Sequence, residues 1–148
     1  MFKKIINKIL GKPKDVMSFM ESMNLVDLPI VTFFQGNNRF NFLLDTGSSG
    51  SIIDKHVLSK MNYKIIKENT STLMGMDGIK HDVNTCEITV FYKDREYTSD
   101  YLIQDMSSPF ESIKQASGVT VHGIIGSKFF NKFKYILDFN ELIAYSKQ

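Results

Sequence analysis

At 148 residues the chain has the length of one domain, and with 43% hydrophobic side chains it can build its own core. Its 23% of charged residues belongs to ordinary globular proteins and excludes disordered or collagen-like classes. The net charge of +2 is lopsided, because Lys3, Lys4, Lys8, Lys12 and Lys14 fall within residues 1–14 with no acid among them; the body is mildly acidic and has no reason to grip nucleic acid.

Residues 1–27 are read as a helical extension. Phe2, Ile5, Ile6, Ile9 and Leu10 share one face of a helix, with lysines on the others. Asn7 and Lys8 interrupt the apolar run, so no signal-peptide core forms, and the segment is too short and charged to span a bilayer. It is expected to pack on its own domain or on a second copy; docking on an anionic membrane surface through residues 1–14 is the alternative. Val16, Phe19, Met20 and Met23 make a second helical pattern, with Asp15 as candidate N-cap.

Residues 28–148 read as a chain of short strands. Leu28–Phe34 and Arg39–Leu44 flank the turn Gln35-Gly36-Asn37-Asn38. Ser51–Ile53 is a strand, Asp54–Met61 a helical turn, and Tyr63–Lys67 another strand. Thr70–Met74 and Ile79–Val83 enclose Gly75-Met76-Asp77-Gly78, and Cys86–Tyr92 and Tyr97–Ile103 enclose Lys93-Asp94-Arg95-Glu96. Residues 107–118 are expected to be a polar loop, with one helical turn as the alternative, Val119–Ile125 a strand and Ser127–Lys132 a short helix. Tyr135–Phe139 and Leu142–Tyr145 form a closing hairpin. Short strands with closely spaced turn signals predict an all-β barrel or sandwich.

The chemistry lies in Asp45-Thr46-Gly47-Ser48-Ser49, which follows the apolar Phe42-Leu43-Leu44. An Asp in a Gly/Ser loop can be a simple turn former, and a motif awaits its structural context. Other chemistries fail on spacing. Gly47-Ser48-Ser49-Gly50 is not a nucleophile elbow, and no Lys-Ser/Thr follows Gly118 to Gly123 as a phosphate loop needs. His56, His81 and His122 lack paired-ligand spacing, so neither metal nor cofactor is expected. Cys86 is the only cysteine; it precludes an internal disulfide and is compatible with a reducing compartment, and the expected location is cytoplasmic.

Three blocks together resemble the retropepsin-type aspartic proteases, the single-domain homodimeric relatives of pepsin, in a cellular version. They are Leu43-Leu44-Asp45-Thr46-Gly47-Ser48-Ser49-Gly50-Ser51-Ile52-Ile53, then His122-Gly123-Ile124-Ile125-Gly126-Ser127-Lys128-Phe129-Phe130, then Tyr135–Phe139 with Leu142–Tyr145. The resemblance implies a closed acid-protease barrel with one short C-terminal helix, and an aspartic endopeptidase acting on peptides or proteins. It implies Asp45 as catalytic carboxylate and Thr46 bonding across the two-fold axis. Gly47 would allow close substrate approach, Ser48 would steady the carboxylate, and Ile125 and Gly126 would bracket the loop.

Aspartic-protease chemistry needs two facing carboxylates. Neither Asp138-Phe139 nor Asp77-Gly78 repeats the triplet, so a homodimer is expected. The resemblance makes Gly75-Met76-Asp77-Gly78 the tip of a substrate-covering flap, where Asp77 departs from the family; an ordinary hairpin tip is the alternative. Turned inward, Asp77 would add a third carboxylate and favour basic substrates; turned outward, it would mean little. The competing functional reading is a catalytically silent dimer that binds peptides or mediates assembly.

Overall fold

Alternation of apolar and polar side chains, the period of a half-buried strand, organises most of this protein. A computed structural model describes residues 15–74 and 80–147. The amphipathic pattern over 1–14 and the hairpin tip Gly75-Met76-Asp77-Gly78 lie outside the described residues. The elements are β1 (Met17–Ser18), α1 (Met20–Val26), β2 (Ile30–Gln35), β3 (Asn38–Leu44), β4 (Ser51–Asp54) and a 3-10 helix over Lys55–Lys60. There follow β5 (Lys64–Met74), β6 (Lys80–Tyr92), β7 (Arg95–Gln104), α2 (Ser107–Ser117), β8 (Gly123–Ile125), α3 (Ser127–Phe133), β9 (Tyr135–Asp138) and β10 (Ile143–Ser146).

The larger sheet runs β2-β3-β8-β4-β7-β6-β5, and the pairing of Phe34 with Phe91 joins β2 to β6. This contact closes the sheet into a barrel and leaves β5 outside on β6. Phe40, Phe42 and Leu44 of β3 point inward, as do Cys86, Ile88 and Val90 of β6. Phe33 meets Phe42, Tyr97 and Phe129 edge-on at the centre, the preferred geometry for aromatic rings. Burial raises the Cys86 thiol to about 12, with the Asp100 charge adding to the effect.

The smaller sheet, β1-β10-β9, is antiparallel throughout. Met17 and Ala144 join the barrel core, and Tyr135 and Leu137 pack against it. Residues 15–26 thus belong to the same packed body as the barrel. Asp15 does not cap α1; Phe19 holds that position. Asp15 is instead fully buried, accepting hydrogen bonds from the Tyr97 hydroxyl and from the Ser146 N–H (3.3 Å) and pairing with Arg95 at 3.3 Å. A buried carboxylate persists only with such partners.

Several segments differ from the sequence reading: Lys64–Met74 and Lys80–Tyr92 are each one long strand where two short ones were expected, and Met17–Ser18 is a strand within the expected helical extension. Residues 107–117, expected as a polar loop, form α2. Asp105 accepts the Ser107 N–H and hydroxyl at its start, and Gly118, at φ 77°, closes its end by donating to Lys114 O at 2.7 Å. Phe110 and Ile113 fasten it to a second apolar cluster with Ile30, Ile52, Val121 and Ile124. The strand expected over Val119–Ile125 shrinks to Gly123–Ile125 because residues 120–122 bond irregularly to one side chain's neighbourhood. Asn41 donates its side-chain amide to Thr120 O and its backbone N–H to His122 Nδ1, each at 2.8 Å. Among the described residues no helix is long and apolar enough to cross a membrane.

Candidate active site

Strand order fixes the site. β8 lies between β3 and β4, parallel to the first (Leu44 opposite Ile125) and antiparallel to the second (Ile52 opposite Ile124). The chain leaving β3 must therefore cross the end of β8 to reach β4, and residues 45–50 make that crossing. Asp45 emerges beside the end of β8 and donates its N–H to Ile125 O at 2.9 Å.

The crossing leaves no room beneath it. A Cβ on Gly126 would lie 2.4 Å from Gly50 O and 2.6 Å from Ser48 O, so glycine is required by contact with backbone. The Gly126 N–H reaches Ser51 Oγ at 3.1 Å. From the next residue α3 begins, and the first N–H groups of a helix lack partners within it. The loop supplies them: Ser127 N–H donates to Ser48 O (2.8 Å) and Lys128 N–H to Ser49 O (3.0 Å). Ser127 Oγ donates to Thr46 O at 2.9 Å.

Within the loop, Gly47 N–H donates to Asp45 Oδ1 at 2.9 Å and Ser48 N–H to Asp45 O at 3.2 Å. The carboxylate is half-buried, while Thr46 and Gly47 are exposed at the tip. The Ser48 hydroxyl donates to Gly50 O at 2.6 Å, so its one proton braces the loop rather than the carboxylate. The structure thus brings Asp45, Thr46, Gly47, Ser48, Ile125 and Gly126 together. It leaves Gly75, Met76, Asp77 and Gly78 outside the described residues, although the pairing of Met74 with Lys80 makes β5 and β6 a hairpin leading to them. Sequence reasoning missed Ser51 and the bracing role of Ser127. A Ser right after Gly126, at a helix start, was the available signal.

Among the described residues, Asp54, His56 and Asp105 form one group able to hold a cation, with ligand atoms within 4.8 Å of one another. Its carboxylates already have partners. Asp54 Oδ1 accepts Met106 N–H at 3.1 Å, and Asp105 lies near Lys55 (3.7 Å) and His56 (3.5 Å). The Ser107 hydroxyl and N–H bonds lower the Asp105 carboxyl to about 2.

The family model described as aspartyl protease matches residues 31–129, more than half of the chain. The chain belongs to the aspartyl protease family. The match includes the Asp45 loop and the Ile125-Gly126 end of β8, the two pieces that the fold brings together, and the activity is that of an aspartic-type peptidase. The structure of EIAV protease complexed with the inhibitor HBY-793 is similar at 16% identity, over 75% of this chain and 92% of that one, with a TM-score of 0.49. No curated protein matches the sequence.

Proposed function

We propose that this aspartyl protease is an endopeptidase working as a homodimer, with one Asp45 from each chain forming the catalytic pair. The carrying observation is a single Asp-Thr-Gly loop, braced by β8 and α3, in a chain with no second copy of the motif. Two carboxylates brought face to face cannot both ionise, so the pair holds one shared proton. The ionised member takes a proton from a water lying between them while the protonated member donates to the substrate carbonyl oxygen. Water attacks the peptide carbon directly, and no covalent enzyme intermediate forms.

The bond from Gly47 N–H to Oδ1 orients each carboxylate, and Oδ2 is left for the water and the opposite Asp45. Thr46, exposed at the loop tip, is suited to bond its symmetry mate across the axis. The hairpin tip at Gly75-Met76-Asp77-Gly78 is assigned to covering the bound peptide. The substrate class is peptide or protein, and no bound metal enters the steps.

Asp45→Asn tests the reading, because an amide is nearly isosteric with a carboxylic acid yet cannot take the proton. Peptide-library hydrolysis from pH 3 to 7 should vanish in the variant while circular dichroism and sedimentation stay unchanged. Wild-type activity should trace an acid-side bell whose two limbs belong to the pair. Undiminished hydrolysis by the Asn variant would overturn the assignment.

A further inference from the structure

We propose that the end of the barrel opposite Asp45 holds a binding site for a small soluble phosphate compound, its phosphate gripped by Arg39, Lys60 and His122. The site is separate from the catalytic pair and does not depend on it.

Its walls come from three places in the chain. The turn Gly36-Asn37 joins β2 to β3, the 3-10 helix runs out through Ser59 and Lys60 to Asn62, and His122 stands just before β8. Together they line an open cavity of about 750 Å³, within the range of small-molecule sites. β3 leads from this cavity to the Asp45 loop. The stretch from Arg39 to Asp45 is about 20 Å long at 3.4 Å per residue, which sets the cavity well apart from a peptide held at Asp45.

The cavity is built before any ligand arrives. Gln35, buried at the end of β2, donates its side-chain amide to Asn62 O (2.9 Å) and Thr89 O (3.0 Å) and accepts the Asn62 N–H (2.9 Å). The hairpin and the exit of the 3-10 helix are thereby clamped together. Walls already in place spare a ligand the cost of ordering them.

The charge of the lining is one-sided. Among the described residues it contains Arg39, Lys60 and His122 and no Asp or Glu, and its other polar groups are amides and a hydroxyl from Asn37, Asn38, Asn62 and Ser59. Lys55 and Arg95 elsewhere are paired with Asp105 and Asp15. Arg39 and Lys60 have no hydrogen bond or ion pair with another described residue. The Arg39 guanidinium lies over the Phe34 ring at 5.8 Å, a contact that uses its face and leaves its N–H edge for an anion.

His122 adds a third donor in a fixed tautomer. Its Nδ1 accepts the Asn41 N–H at 2.8 Å, and its ring stands edge-on to Phe40 at 5.4 Å. In a neutral imidazole the proton then belongs on Nε2, and no described residue accepts it. The donor set selects the ligand. Two cations match the charge of a phosphate monoester, about −1.5 to −2 at pH 7, and three donor side chains match its three acceptor oxygens. A carboxylate offers one charge and two oxygens. The volume leaves room for the group that carries the phosphate.

Inorganic phosphate titrated into the full chain, followed by NMR of the His122 ring, tests this. At ionic strength held constant with chloride, the His122 signals should shift saturably. The ring's titration midpoint should rise, because the bound anion offsets Lys60 and Arg39 around a ring that Asp54 alone now favours in its charged form. Acetate should bind at least about tenfold more weakly, and Arg39→Gln and Lys60→Gln should each weaken phosphate about tenfold, the scale of one charge-assisted hydrogen bond. Both positions are exposed, and circular dichroism should stay unchanged. Asp45→Asn should bind phosphate as the wild type does; weakened binding there would overturn the separation from the catalytic loop. Phosphate bound with His122 unmoved, or with unchanged affinity in both Gln variants, would put the anion elsewhere, on the lysines of residues 1–14 first of all, and overturn the site. Equal affinity for acetate would overturn the phosphate assignment, and the absence of a saturable shift at millimolar phosphate would overturn the proposal outright.

Discussion

Gly126 shows how little tolerance this site has at the scale of one residue. Two carbonyl oxygens of the Asp45 loop occupy the space a methyl group would need, and neither is a side chain that can turn aside. Gly126→Ala should cost about 1–3 kcal/mol of stability, the usual range for overpacking. It should lower kcat more severely, because a shift of about 1 Å in a positioned catalytic group can cost about a hundredfold. Denaturant titration beside steady-state kinetics separates the two effects, and a variant with normal kcat would show that the loop can move. His122 offers a second test. Burial lowers its pKa from 6.5, the Lys60 charge adds to the lowering, and the Asp54 charge partly opposes it. Protonation would also take Nδ1 from the Asn41 N–H. Neutral His122 is therefore favoured by folding, and its contribution is full above pH 6.5 and lost as pH falls below that value. Thermal melting should decline with acidification from about pH 6.5, and His122→Asn, which keeps an acceptor without the titration, should flatten that slope.

Among the elements, the sequence was clearest where periodicity and turn chemistry agreed. The strands from Leu28 to Leu44 and from Tyr97 to Ile103 bracket turn-forming residues and occur close to their expected bounds, whereas the strand expected from Cys86 begins six residues earlier, at Lys80. α2 was hidden because only Phe110 and Ile113 bind its face to the body, while four Ser with Pro109, Glu111, Lys114, Gln115 and Ala116 make up the rest. Its stability comes from Asp105 at one end and Gly118 at the other. The role of Asp15 was also illegible: Tyr97, Arg95 and Ser146 are distant in sequence, and no local pattern announces their meeting. Asp15→Ala removes a charged acceptor from all three. The expected loss is about 1.5–3 kcal/mol, the range for hydrogen bonds to charged groups, and Asp15→Asn should recover part of it. Chemical denaturation can rank the three proteins, and a neutral alanine variant would mean the cluster adds no net stability.

For the whole molecule, Asp45 and its loop were legible because the motif is local and its apolar approach strand marks the context. The bracing by Ser127 and Ser51 was not, since it depends on β8 lying between β3 and β4, a fact of topology. The same non-local character has a consequence in the cell. β10 is the central strand of the smaller sheet, and the Asp15 carboxylate is bonded to Ser146, 131 positions along the chain. A chain still being synthesised cannot close this sheet until residue 146 has left the ribosome, and contacts of such long range slow folding. β9 also waits for β10 as its neighbour. Burial of Asp15 therefore waits on Ser146, and a chain stopped before that residue leaves the carboxylate without its Ser146 donor.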